Sequence, residues 1–136
     1  MSFGLCPTRT AISSIVLKGS KPSTPELDAL LTAAGVQFAK SVSSNLCGVS
    51  PVGILSNDSA QLTLLGTLSG HASLENDGEV HIDSCRATID RSQYSNRWDG
   101  GKFYIAGINH LDSSFRHGDG WWGNDRKPIK WFNCQF

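Results

Sequence analysis

Residues 72–82 read Ala-Ser-Leu-Glu-Asn-Asp-Gly-Glu-Val-His-Ile, and this stretch decides the fold class. Residues alternate on either side of Asn76-Asp77-Gly78, and Gly78 is free to take positive φ, so the segment predicts a β-hairpin. Downstream, Gly100-Gly101 precedes Lys102 to Ile108, a second predicted strand. From Asp112 onward Gly, Asp and Asn recur at short intervals, which predicts ordered loops held by tryptophans. Upstream the period changes. Ser23 and Glu26 have the spacing of a capping box, Pro25 suits a first helical turn, and Leu27, Leu30, Leu31 and Ala34 form one helical face. Val36, Phe38 and Val42 extend this helix towards Cys47. Thr10 to Leu17 fits helix or strand, and Asn57-Asp58-Ser59 reads as a polar break before Leu62 to Leu68. The expectation is one α+β domain over residues 1–136, with sub-region 1–68 mainly helical and sub-region 69–136 built of hairpins and ordered Trp- and Gly-rich loops.

Composition narrows the function. Hydrophobic residues make up 39% of the 136 residues and charged residues 18%, which argues against disorder. Lys+Arg and Asp+Glu both number 12, so the chain lacks the cationic surplus of a sequence-blind nucleic-acid binder. Apolar runs are too short to span a membrane, and no signal peptide is expected. Serine abundance, low charge and the Asn57-Asp58-Ser59 glycosylation triplet favour a secreted protein.

Cys6, Cys47, Cys85 and Cys134 are widely spaced, with no C-x-x-C pair, so a zinc-finger or thioredoxin-type site is not expected. Two disulfides in any of three pairings are open, as are four buried thiols. A Cys6–Cys134 bridge would tie the two ends of the chain together.

The densest cluster of titratable groups surrounds the hairpin. Glu75 and Asp77 are two residues apart, so a strand would place them on one face, and a loop would let both reach Mg²⁺ or Ca²⁺. A solvated hairpin tip is the plainer reading. Neither an EF-hand loop nor a zinc signature is present.

The run Leu68-Ser69-Gly70-His71-Ala72-Ser73-Leu74-Glu75-Asn76-Asp77-Gly78 resembles the acidic motif of heme-thiolate peroxidases, the chloroperoxidase and unspecific-peroxygenase family. Leu5-Cys6-Pro7 resembles that family's Pro-Cys-Pro heme-ligand motif, and the capped helix falls where the family has one. The resemblance spans residues 5–80. It implies a peroxide-driven oxidase of small organic molecules, with Cys6 as axial ligand to heme and Glu75 and Asp77 holding a cation beside a propionate. A thiolate ligand favours O–O cleavage, and a distal acid must protonate the leaving oxygen. Glu79, His81 and Asp83 are the candidates for that acid. The chain departs from the family at Leu5, where proline is expected, and at Ile82 and Ser84, where Arg and Asp are expected. No later position maps to the family's distal acid.

A second constellation is Phe115 to Arg126. Trp121 and Trp122 with Asp119, Asn124 and Asp125 have the ingredients of a face for a glycan or small ligand, rings stacking on sugars and polar groups bonding hydroxyls. The competing reading packs Trp121, Trp122 and Trp131 into a loop core. A third possibility is acid–base or RNA-cleaving chemistry, pairing His81 or His117 with Glu75 or Glu79. Arg86, Arg91, Arg97 and Arg116 would then hold phosphate.

Overall fold

A computed structural model describes residues 18–19, 23–68 and 74–136. The chain divides into two compact units, residues 1–42 and 43–136. Thr10 to Leu17, Cys6 and His71 lie outside the described residues.

In the first unit, helix α1 spans Pro25–Ser41. Its cap is Thr24, one residue later than the capping-box spacing suggested, and the Thr24 hydroxyl accepts from the Leu27 amide at 3.3 Å. Ser23 has another role: its hydroxyl donates to Asp28 at 2.6 Å. That bond, with one from the Gly19 amide, holds the Asp28 carboxyl below its ordinary range. Helix α1 takes in Val36 and Phe38 as expected but ends before Val42, which is already extended.

The second unit is built on two parallel strands, β1 (Asn45–Gly48) and β2 (Phe103–Ala106), with Leu46 opposite Tyr104 and Cys47 opposite Ile105. Parallel pairing needs a long crossover. Here it contains α2 (Asn57–Leu68), α3 (Ile82–Arg86) and a 3₁₀ turn at Arg91–Gln93. Helix α4 (Pro128–Asn133) follows β2. Helices plus a small sheet make the chain α+β, as expected.

Period-2 alternation sends β2 side chains into two clusters. Tyr104 and Ala106 pack with Ile54, Ile108 and Trp131, while Ile105 packs with Cys47 and Ile82. A Cys47–Cys85 disulfide ties β1 to α3. It removes Cys47 as a partner for Cys6. Cys134 is exposed and free.

Three local expectations are corrected. Asn57-Asp58-Ser59 is not a break but the first turn of α2, where the Ser59 hydroxyl accepts from the Ser56 amide at 3.0 Å. The hairpin contracts to one antiparallel bridge, Asn76 with His81, and Gly78 takes φ +102°. Glycine is required there twice over, since a Cβ would sit 2.9 Å from Leu62 Cβ on α2. His81 then caps α3, its Nδ1 accepting from the Asp83 amide at 3.1 Å, so the sequence after the turn becomes helix instead of strand. Among the described residues no helix is long and apolar enough to cross a membrane.

Candidate functional site

The segment from Asp119 to Lys127 leaves the core and returns to it, and both ends are pinned. The Gly120 amide donates to the Arg126 carbonyl at 2.7 Å, and Lys127 Nζ also donates to the Gly120 carbonyl. Asn124 is a junction. Its carbonyl accepts from the Trp98 amide at 3.1 Å and from the buried Tyr104 phenol at 2.9 Å, and its Oδ1 accepts from Trp98 Nε1 at 3.3 Å. The Gly107 amide bonds the Asp125 carbonyl at 2.7 Å, and Asp119 Oδ1 accepts from the Ile129 amide of α4 at 2.9 Å.

At the tip of this pinned loop Trp121 is 93% exposed and Trp122 79% exposed. Leaving an indole in water forgoes on the order of 2 kcal/mol relative to burying it. The loop-core reading therefore holds for Trp131, which is buried and donates Nε1–H to the Gly101 carbonyl at 3.1 Å, and fails for the adjacent pair. Asp119 and Asn124 are spent on holding the loop. Asp125, 3.6 Å from Arg126, keeps a half-exposed carboxylate near the tryptophans in sequence.

The titratable cluster around residues 75–83 is dispersed by its partners. Glu75 pairs with Arg91 at 2.8 Å. Asp77 Oδ1 accepts from the amides of Glu79 (3.0 Å) and Val80 (2.7 Å), while Oδ2 lies 2.9 Å from His110 Nδ1. The two carboxylates thus have separate protein partners. Among the described residues no group of three or more His, Cys, Asp or Glu side chains is arranged to hold a metal ion. Glu79 Oε2 lies 3.7 Å from His110 Nε2. His81 caps α3, and Asp83 pairs with Arg86 at 2.6 Å. Arg97 is engaged by Asp99 at 2.9 Å. The arginines expected to gather around phosphate are therefore engaged separately with acids.

Sequence reading did not single out Asp112, which is fully buried. Its Oδ2 accepts from the amides of Ile54 (2.7 Å) and Asn109 (3.0 Å), and its Oδ1 lies 2.7 Å from His117 Nδ1. With donors on both oxygens, Asp112 orients the imidazole so that Nε2 faces Asp58 on α2 at 3.4 Å. Arg116 lies 3.7 Å from the same Asp58 oxygen. The group clasps the 109–117 segment to α2. No spacing rule pairs residues 58, 112 and 117, so only the fold reveals it.

No protein-family model, curated protein or solved structure matches this chain.

Proposed function

We propose that this chain is a non-enzymatic extracellular binding module that holds a glycan, or a small ligand of similar chemistry, on the Trp121–Trp122 loop. The observation that carries the reading is the exposure of two adjacent indoles at the tip of a loop fixed by hydrogen bonds at both ends. Large aromatics held in water on a fixed support suit stacking against an apolar ring face, and pre-ordering lowers the entropy lost on binding. Asp125 supplies a carboxylate for hydroxyl groups. The Cys47–Cys85 disulfide supports an oxidising compartment.

The peroxidase resemblance has less behind it. Its axial ligand, Cys6, lies outside the described residues, and Glu75 and Asp77 are engaged by Arg91 and His110. The two readings separate in one pair of experiments. A glycan array probed with the wild-type chain and with Trp121→Ala should show binding that the variant loses. A protein that binds no glycan, yet gives a red-shifted Soret band after heme supplementation, dithionite and CO, would replace this proposal with the heme-thiolate one.

A further inference from the structure

An open groove of about 550 Å³ lies beside β2, within the size range of small-ligand sites. Its lining is polar: Arg91, Gln93, Tyr94, Ser95 and Asn96 form the walls with Gly100. Gln93 and Asn96 are exposed, and neither side-chain amide is hydrogen-bonded among the described residues. Each amide offers donors and an acceptor to a ligand. Tyr94 contributes a half-buried ring whose Oη accepts from Asn45 Nδ2 at 2.7 Å, which leaves its own proton to donate. The Arg91 charge is compensated by Glu75 at 2.8 Å, so among the described residues the groove lining carries no uncompensated cation.

The groove is tied to the tryptophan loop. Trp98 lies between groove residues Asn96 and Gly100, and it makes both of its hydrogen bonds to Asn124, two residues after Trp122. Two residues of chain on each side of that junction put Trp122 at most roughly 20 Å from Asn96. An oligosaccharide of several units can reach across any separation up to that bound.

We infer that the groove at Gln93, Tyr94 and Asn96 is a second saccharide subsite, and that the ligand is an extended neutral oligosaccharide reaching from it to the Trp121–Trp122 loop. This rests on the glycan-binding reading and assigns it a ligand class. Neutral hydroxyls match free amides and a phenol, whereas a uronate or sulfated chain needs an unpaired cation that the groove lacks.

The test is a ladder of oligosaccharides from one to six units, measured by calorimetry on the full chain. The probes are cello-, chito- and manno-oligosaccharides, with oligogalacturonides as the anionic comparison. Affinity for a neutral series should rise from two to six units by about tenfold or more. Gln93→Ala with Asn96→Ala should flatten that rise, whereas Trp121→Ala should lower affinity at every length. Both side chains are exposed and without hydrogen bonds among the described residues, so folding should survive. Length-independent affinity, an oligogalacturonide preference, or a rise unaffected by the double variant would overturn the second subsite while leaving the tryptophan loop standing. Absence of binding across every series would overturn both.

Discussion

His117 Nδ1 lies 2.7 Å from Asp112 Oδ1, and Asp112 is fully buried. Because the other carboxylate oxygen takes the amides of Ile54 and Asn109, one side chain joins three segments of the second unit. Asp112→Ala would strand two buried amides and the imidazole donor. The expected loss is about 3 kcal/mol or more in urea denaturation. A variant as stable as the wild type would show that these bonds are not needed.

Gly53 makes the same junction possible. Its φ is +60°, and a Cβ there would meet Asp112 Oδ2 and the Asn109 amide. Gly53→Ala should lower stability by roughly 2 kcal/mol or more, combining left-handed strain with displaced backbone. Gly118 isolates the strain, since it has φ +73° and a Cβ added there would find nothing within 4 Å. Gly118→Ala should cost only about 1 kcal/mol. Equal losses in thermal denaturation would remove the collision from the account.

The Cys47–Cys85 bridge closes a loop with a sequence separation of 38 and joins β1 to α3. Loop-closure entropy assigns such a bond about 4 kcal/mol, by restricting the unfolded chain. Reduction, or Cys47→Ala with Cys85→Ala, should therefore move the urea midpoint well below that of the oxidised chain. An unchanged midpoint would mean that the bond forms but does not contribute.

Both tyrosines, Tyr94 and Tyr104, resist ionisation because burial penalises the phenolate, and the Tyr104 phenol is pushed up to about 12. The unfolded chain gives up this proton near pH 10, whereas the folded chain keeps it. The stabilising contribution of the neutral phenol is complete below about pH 10 and disappears as pH rises towards 12, by about 2 kcal/mol. Absorbance at 295 nm should show little tyrosinate at pH 10 in the folded chain. Half-ionisation at that pH without unfolding would contradict the burial.

Elements with strong local signals are legible in the sequence. Helix α1 has its period, its proline and its acidic first turn, and β2 has a short apolar run after two glycines. Strand β1 carries no such signal: it is four residues long, and it is a strand because residues 103–106 lie beside it. The helical pattern of Val36 and Phe38 ends at Ser41, short of Cys47, which pairs in β1 instead. The hairpin does not form for a related reason, since Gly78 turns against Leu62 and His81 supplies a cap for α3. At the candidate site the aromatic content of residues 115–126 is legible. Which rings face water is not, because exposure depends on Asn124 bonding to Trp98 and Tyr104 from distant parts of the chain.

Trp131 is buried in the core, whereas Trp121 and Trp122 face solvent, and truncation should tell the two kinds apart. Trp131 is buried against Tyr104, with ring centroids 6.1 Å apart, and Trp131→Ala should cost about 3–5 kcal/mol. Trp121 and Trp122 leave no comparable cavity when truncated, so Trp121→Ala and Trp122→Ala should each stay within about 0.5 kcal/mol of the wild type. Their loss should show instead as reduced acrylamide-accessible fluorescence and lost glycan binding. Should either exposed-tryptophan variant prove as unstable as Trp131→Ala, its indole belongs to the core, and the stacking face has lost that half of its support.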